Sequence, residues 1–410
     1  MNKLNILLNE LCQIDIEYKK IWEITYWDKR FQGVESYKQP KSIKYKVLLA
    51  NELDELKLDN GDVKLLYTGV DNDYFTSEEL AGDNLCEGEI VAIPWGGNPR
   101  VQYYNGKFIT GDNRIATSRD RNTLNNKFLY YWLENNKLEL SSYYRGSGIQ
   151  HPNMKSVLDM MLPVPPIEVQ NEIVRILDNF TELTAELTAE LTARKQQYQY
   201  YLNQIIVFSD TRISKLGDLC KIGDGLHGTP IYSDNGSCFF INGNNLKNGE
   251  IKISDSTKKV DEVMASKYRI DINSNTLLMS INGTIGNLAI YRNENVILGK
   301  SAAYIKIISK DLNLEYLYYF MQSSQARKYY IDNQTGSTIK NLGLITLREL
   351  EIPVPSPEEQ QRIVDILDKF DKLVNDISEG LPAEIAARQK QYEYYRDKLL
   401  TFKEVGNESI

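Results

Sequence analysis

A four-residue unit, Thr-Ala-Glu-Leu, repeats in tandem near the middle of the chain and constrains the fold more than any other feature. Two full copies span residues 184–191, and a partial copy, Thr-Glu-Leu, comes directly before them. Ala, Glu and Leu favour an α-helix, and four residues turn a helix by about 400°. Leu183, Leu187 and Leu191 therefore drift by only about 40° per step and share one face. Alone, this pattern fits an ordinary amphipathic surface helix.

Three blocks on either side of the repeat recur near the C-terminus. The matched blocks are LPVPPIEVQ (162–170) with IPVPSPEEQ (352–360), IVRILDNF (173–180) with IVDILDKF (363–370), and ARKQQYQYY (193–201) with ARQKQYEYY (387–395). Matches this dense predict an internal duplication. Each half then ends in a long helix, and the repeat lies within the first of these two helices.

The spacing of apolar residues supports both long helices. The first is predicted over residues 167–208, which is roughly 63 Å at ~1.5 Å per residue. Such a length suits a strut between domains that packs along one seam. The second is predicted over residues 357–402, with a stop or kink at 378–382, where Gly380 and Pro382 fall. The apolar positions of the first helix are Val169, Ile173, Ile176, Phe180, Leu183, Leu187, Leu191, Tyr198 and Ile205.

The rest of each half is predicted to be a mixed α+β globule. Short apolar runs between Gly, Asn and Asp clusters indicate strands and turns. Candidate strands are residues 44–49, 63–67, 89–93, 101–104 and 107–109 in the first half, and 239–241, 277–281, 288–291 and 303–308 in the second. Turns are predicted at Asn60-Gly61, Gly96-Gly97 and Asn105-Gly106. A short N-terminal helix is predicted over residues 1–14.

Three further pairings extend the duplication into the globules. The segment 128–133 (FLYYWL) looks helical and matches 316–321 (YLYYFM). The segment 20–24 corresponds to 215–219. The third pairing sets GSGIQH (146–151) against GSTIKN (336–341).

Charge and cysteine content restrict the setting of the protein. The four cysteines contain no C-x-x-C pair, which argues against a zinc site or a disulfide framework and fits a reducing cytoplasm. No apolar run approaches the length of a membrane span, so we expect a cytoplasmic protein. The net charge is −8, but basic residues outnumber acidic ones around residues 100–155. Nucleic-acid binding needs a basic face rather than a basic protein.

No segment of the sequence carries a convincing active site. Gly223, Gly225 and Gly228 satisfy G-x-G-x-x-G, yet Thr229-Pro230 follows where a dinucleotide site needs a helix. The two histidines lack carboxylates at metal-ligand spacing, and neither a nucleophile elbow nor an H-E-x-x-H motif is present. We therefore expect a non-catalytic chain with neither a metal nor a cofactor of its own.

The two globules, the two Pro-x-Pro-x-x-Glu-x-Gln helix starts and the Thr-Ala-Glu-Leu spacer together resemble one family. The chain is similar to the specificity (S) subunit of type I restriction–modification systems, in the branch with tetrapeptide repeats in the spacer. The resemblance covers essentially the whole chain. It implies two target-recognition domains, each reading half of a bipartite asymmetric DNA site. It also implies two helical regions that pack antiparallel and make the halves pseudo-twofold related.

The resemblance also implies partners and a division of the chain. Two modification (methyltransferase) subunits and restriction (translocase/endonuclease) subunits are expected to bind, with S-adenosylmethionine, ATP and Mg on those partners. The expected parts are target-recognition domain 1 (residues 1–160), a central helical region (161–208), target-recognition domain 2 (209–350) and a C-terminal helical region (351–410).

Candidate residues follow from side-chain chemistry within that division. Arg and Lys suit phosphates or guanine, whereas Asn and Gln suit adenine. The DNA-binding candidates are Arg100, Arg114, Arg119, Arg121, Arg145, Gln150, His151, Asn244, Lys247, Asn282, Lys300, Lys340 and Asn341. The candidates for the strut are Phe180, Leu183, Leu187, Leu191 and Phe370. The candidates for the partner-subunit interface are Pro163, Pro165, Glu168, Gln170, Tyr198, Tyr201, Pro353, Pro355, Glu358, Gln360, Tyr392 and Tyr395.

Two other classes of function stay open on the residues alone. One is a standalone DNA nuclease or methyltransferase, which the missing motifs disfavour. The other is a coiled-coil scaffold that does not bind DNA. Retention of a specific duplex by the chain and its partners distinguishes the scaffold from the specificity subunit.

Overall fold

The computed structural model describes residues 16–69, 73–205, 211–376 and 380–402. The chain divides into two compact units, one made of Met1–Ala185 with Ala387–Ile410 and the other of Glu186–Ala386. Each unit therefore combines one globule with segments from the helical regions of both halves. The helix predicted over residues 1–14 lies outside the described residues.

The first unit is built around a six-stranded sheet. Its central strand, Cys86–Pro94, pairs antiparallel with Gln102–Thr110 on one side and with Asn113–Ser118 on the other. The sequences of these strands contain apolar runs because both faces of the sheet are buried. Ile90 and Val91, for example, are neighbours on one strand and are both buried. The strand order is Thr25–Trp27, Asn113–Ser118, Cys86–Pro94, Gln102–Thr110, Val63–Leu66 and Phe75–Thr76.

Short helices and two small strand pairs complete the first globule. The predicted helix at 128–133 is confirmed as Asn126–Asn135, and the Asn125 side chain caps it by accepting from the Lys127 and Phe128 N–H groups. The other helices are Ile21–Ile24, Ala50–Glu55, Glu78–Ala81, Lys137–Ser142 and Met154–Leu158, with 3-10 turns at Ser36–Lys38 and Gly82–Asn84. The remaining strands pair Glu17–Lys20 with Met161–Val164 and Tyr144–Arg145 with His151–Pro152.

Two predictions for this globule are wrong. Residues 44–49 form no strand, and only Val47 makes an isolated bridge, to Thr110. Asn105-Gly106 is not a turn but lies inside the strand Gln102–Thr110. Gly106 faces Gly88 across the ladder and both have positive φ, a backbone conformation that glycine adopts readily inside a continuing strand.

The second globule spreads its strands over two main sheets. The four-stranded sheet has the order Cys220–Asp224, Ala302–Ile307, Thr276–Ser280 and Leu288–Ile290. The three-stranded sheet has the order Lys259–Val260, Cys238–Ile241 and Val296–Leu298. Small pairs join Leu246–Lys247 to Glu250–Ile251 and Arg212–Lys215 to Glu351–Val354. The helices are Leu216–Leu219, Glu262–Tyr268, Leu314–Phe320, Ser324–Asn333 and Leu344–Arg348, with a 3-10 turn at Gly243–Asn245. All four strands predicted in this half are confirmed within one or two residues.

The globules close in the same way, as the duplication predicts. Glu17–Lys20 pairs antiparallel with Met161–Val164, and Arg212–Lys215 pairs antiparallel with Glu351–Val354. Each first strand then runs into a four-residue helix, Ile21–Ile24 or Leu216–Leu219. In both halves the strand that leads into the Pro-x-Pro segment is therefore held against the start of its own globule.

The long helices form as predicted, with a break in the second. The central helix covers Ile167–Ile205, and residues 206–208 of the prediction lie outside the described residues. The second splits into a penultimate helix, Pro357–Asn375, and a last helix, Leu381–Leu400. Ser356 caps the penultimate helix and Pro357 takes its first position, where a missing N–H costs nothing. No helix in the described ranges is both long and apolar enough to cross a membrane.

In the first unit the central and last helices pack antiparallel. Phe180 contacts Tyr395. The Tyr18 hydroxyl donates to the Phe402 carbonyl at 3.1 Å, and Tyr18 pairs with Pro163 just before the central helix begins. The end of the last helix therefore lies near the start of the central one. Leu399 and Leu400 are buried in the same core as Ile173 and Leu177.

In the second unit the later part of the central helix packs on the penultimate helix. Tyr201 contacts Phe370, and Tyr198 and Leu202 share a buried core with Ile363 and Leu367. The predicted α+β class, with two globules and long packed helices, is confirmed.

Candidate nucleic-acid interface

Three of the candidate residues in the first unit lie together on one tight turn. Arg145 pairs with His151 at the mouth of a hairpin, so residues 145–151 form what we call the first turn. Gly97 donates its N–H to the Gln150 carbonyl at 3.0 Å, and His151 Nδ1 lies 2.7 Å from the Trp95 carbonyl oxygen. Arg145, Gln150 and His151 are all exposed. The turn and the loop at 95–97 therefore form one polar, cationic tip.

A buried ion pair lies beneath this tip. Arg114 is 1% exposed, and its Nη1 donates to Asp28 at 2.9 Å. Its guanidinium also lies over the Trp95 ring, 5.0 Å from the centroid. Asp28 accepts in addition from the Ile115 N–H at 2.9 Å. The prediction that Arg114 contacts DNA is corrected on this ground: its side chain is sealed in the core and supports Trp95.

The other arginine candidates divide by exposure. Arg119 is half-buried and donates to the Trp22 and Thr25 carbonyls at 2.5 and 3.0 Å, so it joins two backbone segments of the first globule. Arg121 is exposed and pairs with Glu89 at 2.5 Å. Arg100 is half-buried and donates to a loop carbonyl, that of Gly69.

The second unit repeats the tip. Thr335 and Asn341 exchange two backbone hydrogen bonds of 2.8 Å, and residues 335–341 form what we call the second turn. Gly283 donates to the Lys340 carbonyl at 2.8 Å, just as Gly97 donates to that of Gln150. The predicted pairing of 146–151 with 336–341 is therefore a structural equivalence, with Lys340 in the place of Gln150.

A proline in the first turn replaces one backbone hydrogen bond of the second turn with a side-chain contact. In the second turn, Leu342 donates its N–H to the Ile281 carbonyl at 2.9 Å. Pro152 takes the equivalent place in the first turn and has no N–H to donate. The His151 ring instead meets the Trp95 carbonyl at 2.7 Å. Because a carbonyl only accepts, Nδ1 donates a proton in this contact.

Neighbouring loops bring three more candidates beside the second turn. Ser301 accepts from the Gly243 N–H at 3.0 Å through its hydroxyl, and its carbonyl accepts from Ile281 at 3.0 Å. The loops at 242–245, 281–283 and 299–301 are therefore joined through this one serine. Asn282 also bridges directly to Asn341. Asn244, Lys300 and Lys340 are exposed, whereas Asn282 and Asn341 are half-buried.

A cleft of about 470 Å³ opens next to this cluster of loops. Three lysines, Lys247, Lys252 and Lys258, line it together with Asn244 and the two aromatic rings of Tyr232 and Phe240. Lys252 is paired with Glu250. Cations beside aromatic and amide groups are the chemistry with which proteins hold nucleic-acid backbones. The cleft thus extends the second tip with a cationic wall.

Most residues predicted to bind partner subunits are buried inside this chain. Gln170 is fully buried: its Oε1 accepts from Asn125 N–H at 2.9 Å, and its Nε2 donates to the Thr123 and Pro165 carbonyls at 2.9 and 2.8 Å. Gln360 makes the same three bonds, accepting from Asn313 and donating to the Asp311 and Pro355 carbonyls at 2.8, 2.7 and 2.8 Å. These glutamines lock each helix start to its own globule.

The prediction of a partner surface is corrected accordingly. The candidates that are buried and therefore act within the chain are Pro163, Pro165, Gln170, Tyr198, Pro353, Pro355 and Gln360. Those that keep surface are the exposed Glu168 and Glu358 and the half-buried Tyr201, Tyr392 and Tyr395.

A second repeated contact ties the helices to the globules. The Tyr131 hydroxyl donates to Asp178 at 2.6 Å, and that of Tyr319 donates to Asp368 at 2.5 Å. Burial, followed by the acceptor carboxylate, raises the pKa of both tyrosines well above the usual range. Both phenols therefore remain donors at any physiological pH.

The strut leucines share one side of the central helix, as predicted. Leu183, Leu187 and Leu191 are all half-buried, while Glu186 and Glu190 on the other side are exposed. Leu191 packs on the core of the second unit. The strut candidates Phe180 and Phe370 are half-buried in the ring contacts described above.

The motifs that mimic catalytic sites are structural. Gly223 lies in the strand Cys220–Asp224, and no helix follows at Thr229-Pro230. Within the described ranges, no group of three or more His, Cys, Asp or Glu side chains is placed to hold a metal.

The sequence predicts a turn at Gly96-Gly97 but does not reveal Trp95, Asp28 or the bonds that Gly97 and Gly283 make to the two turns. A signal for the glycines was available, because Trp-Gly-Gly at 95–97 precedes its turn much as Ile-Asn-Gly at 281–283 precedes the second. The Asp28–Arg114 pair spans 86 residues of chain, so no local pattern announces it.

Comparison with known proteins identifies related sequences along most of the chain. The family model described as type I restriction modification DNA specificity domain matches twice, at residues 44–194 and 209–387. The specificity subunit of the Escherichia coli type I restriction enzymes EcoR124I/EcoR124II is 33% identical over 315 residues, covering 70% of this chain and 74% of that protein. A type I restriction enzyme specificity subunit of Haemophilus influenzae is 33% identical over 348 residues, covering 77% and 83%.

Solved structures share the fold at low identity. The S subunit of a type I restriction–modification system from M. genitalium superposes with a TM-score of 0.59 at 14% identity, covering 95% of this chain and 97% of that one. A chain from a study of complex assembly and conformational transition in the type I R-M system gives a TM-score of 0.56 at 13% identity, covering 95% and 98%.

Proposed function

Because this chain belongs to the family of DNA specificity subunits of type I restriction–modification systems, we propose that its two units read the two halves of a bipartite, asymmetric DNA site. One observation carries the proposal. The first and second turns share the pairing across their mouths and the bond from Gly97 or Gly283, but they carry different side chains at their tips, Gln150 and His151 against Lys340 and Asn341. Equivalent frames with different donors and acceptors suit two half-sites of different sequence.

The proposed DNA contacts are candidates whose polar side chains are exposed or half-buried. In the first unit, Arg145, Gln150 and His151 contact bases or nearby phosphates, and Arg100 and Arg121 contact the backbone. In the second unit, base readout falls to the loops joined at Ser301 and to the second turn, while Lys247 in the cleft binds phosphate. The proposed second-unit contacts are Asn244, Lys247, Asn282, Lys300, Lys340 and Asn341.

The helical regions serve as the platform for partner subunits. We propose two modification subunits, one for each half, because the ring contacts and glutamine locks recur in both units and hold the helices against their globules in the same way. The exposed residues Glu168 and Glu358 belong to these surfaces. Restriction subunits join this assembly. The methyl donor S-adenosylmethionine, and the ATP and Mg for cleavage, are held by the partner subunits.

We further infer that the chain belongs to the branch in which tetrapeptide repeats set the spacing of the half-sites. The functional division is residues 1–160 and 209–350 for recognition, with residues 161–208 and 351–410 as the spacer and platform. The half-buried stripe of Leu183, Leu187 and Leu191 supports this role, since a packed seam fixes how far the helix turns per residue.

A DNA-binding assay with and without modification subunits tests the proposal. With a net charge of −8, the isolated chain supplies little of the phosphate neutralisation that drives affinity. We expect weak, salt-sensitive binding by the chain alone and specific binding by its complex with two modification subunits. The complex is titrated with its target duplex, identified by methylation mapping, and with a duplex scrambled in both half-sites. Equal affinity for the two duplexes contradicts the proposal.

A further inference from the structure

The first and second turns also share residues, and these shared residues cannot account for a difference between the sequences that the two units read. Gly146-Ser147-Gly148-Ile149 in the first turn corresponds to Gly336-Ser337-Thr338-Ile339 in the second. Both isoleucines point outward, with Ile149 69% exposed and Ile339 65% exposed. The globules otherwise match only in patches, so two exposed isoleucines at one equivalent position require a physical reason.

The fold explains the shared glycines but not the shared isoleucines. Gly146 and Gly336 have positive φ, and a Cβ at either position would collide with the carbonyl of Ile149 or Ile339. The isoleucine side chains contribute little burial, so the cores do not require them. Single exposed apolar residues are common on proteins, but here the same residue recurs at the same place in two frames.

We expect a side chain that is the same in both turns to contact a part of the DNA that is the same in both half-sites. The next side chains in each turn, Gln150 and His151 or Lys340 and Asn341, differ between the halves and suit differing base sequences. The isoleucines do not differ, so they suit a feature that every duplex presents. Base-pair stacks are such a feature, and apolar side chains of this kind insert between base steps in several classes of DNA-binding protein.

We propose that Ile149 and Ile339 enter the DNA as apolar wedges at equivalent base steps of the two half-sites. The hydroxyls of Ser147 and Ser337, both exposed, donate to phosphates beside the opened steps. Partial unstacking next to the differing residues exposes base edges to them. This assignment rests on the proposed function of the two units as DNA readers.

The surroundings of the isoleucines favour DNA over a protein partner. Arg145, Gln150 and His151 flank Ile149, and Lys340 and Asn341 flank Ile339, so each apolar tip stands among cationic and amide groups. Protein docking sites instead have contiguous apolar cores depleted in charge. Charge complementarity to a phosphate backbone therefore selects the ligand.

Ile149→Ala and Ile339→Ala, made in the full complex with modification subunits, test the wedge. Duplexes carry 2-aminopurine at adenines of one half-site or the other, since its fluorescence rises on unstacking. We expect each variant to lower affinity about tenfold, the scale for losing a buried isoleucine. The fluorescence rise should be lost in one half-site only, with base preference unchanged. Ile149→Met and Ile339→Met should retain both affinity and signal.

Matched controls are the exposed apolar residues Leu138 and Ile331, one in each unit and outside the turns. Leu138→Ala and Ile331→Ala should leave affinity and fluorescence unchanged. The wedge is overturned if the isoleucine variants bind and unstack DNA like the parent complex. It is equally overturned if they lose modification subunits from the complex while DNA contact persists. If the parent complex shows no preference for its target duplex, the proposed function itself fails, and the wedge with it.

Discussion

Phe180 and Tyr395 stack with their ring centroids 5.6 Å apart and their planes 26° from parallel. The second unit has the equivalent contact between Phe370 and Tyr201, at 5.2 Å and 32°. The two phenylalanines come from the matched blocks 173–180 and 363–370, and the two tyrosines come from the matched blocks 193–201 and 387–395. The duplication is therefore expressed as one ring contact per unit, made each time between helical segments from different halves of the sequence.

A double-mutant cycle on Phe180→Ala and Tyr395→Ala should show this coupling. We expect an interaction free energy of about 0.5–1.5 kcal/mol, typical of an aromatic pair, measured by urea unfolding. The same cycle with Phe180→Ala and Leu138→Ala is the control, because Leu138 is 90% exposed. Its two effects should add. Additivity in the Phe180–Tyr395 cycle contradicts the ring contact as a stabilising link.

The buried glutamines should be critical for stability. Gln360→Ala leaves the Asn313 N–H and two carbonyls without their partner, so we expect a loss of at least about 2 kcal/mol of unfolding free energy. The neighbouring Gln361 is exposed and donates its side-chain amide to Asp365, and Gln361→Ala is the matched control with a change within about 0.5 kcal/mol. Similar effects from the two substitutions would argue against the lock.

Two arginines of the first unit should separate stability from DNA binding. Arg114→Ala leaves the Asp28 carboxylate buried and unpaired, so the free energy of unfolding should fall by about 3–5 kcal/mol. Arg145→Ala should leave the melting temperature unchanged. It should weaken DNA binding by the assembled complex and reduce the slope of log K against log salt by about 1. A stable Arg114→Ala variant, or an Arg145→Ala variant with an unchanged salt slope, contradicts these assignments.

The sequence predicted the fold wherever its evidence was periodic or repeated. The helix at Asn126–Asn135 and the central helix were expected, because the first appears in both halves and the second keeps one apolar face. The closing strands were not predicted as strands, although the blocks that overlap Met161–Val164 and Glu351–Val354 recur in the sequence. The strand prediction failed at Asn105-Gly106, where a glycine inside a long strand resembles a turn in the sequence. Local signals do not reveal that Gly88 lies opposite.

The candidate site was predictable for exposed residues and not for buried ones. Arg145 and Arg114 look alike in sequence, and only the fold shows that Asp28, far away in the chain, draws Arg114 into the core. The shared Gln170 and Gln360 were read as surface contacts because recurrence alone does not distinguish an internal lock from an interface. Their partners are backbone groups, which carry no residue signature.

Lengthening the repeat should widen the gap between the half-sites. One extra Thr-Ala-Glu-Leu unit after Leu191 adds ~6 Å of helix and a net rotation of about 40°. One base pair rises ~3.4 Å and turns roughly 34–36°. The rotation therefore fits one base pair, and groove facing makes rotation the stricter requirement. Methylation mapping should show the same half-sites with the gap longer by about one base pair.

A three-residue insertion at the same place is the control for the spacer. It rotates the later part of the helix by about −60° and takes the seam leucines out of line, so methylation should be lost. An unchanged gap with the four-residue insertion would mean that the repeat does not set the spacing.

Exchange of one recognition domain tests most directly whether each unit reads its own half-site. Residues 1–160 are replaced by the corresponding domain of a related specificity subunit, and genome-wide methylation is mapped in cells with the cognate modification subunit. We expect a new sequence in one half-site, with the other half-site and the gap unchanged. Alteration of both half-sites by this single exchange would contradict independent reading by the two units.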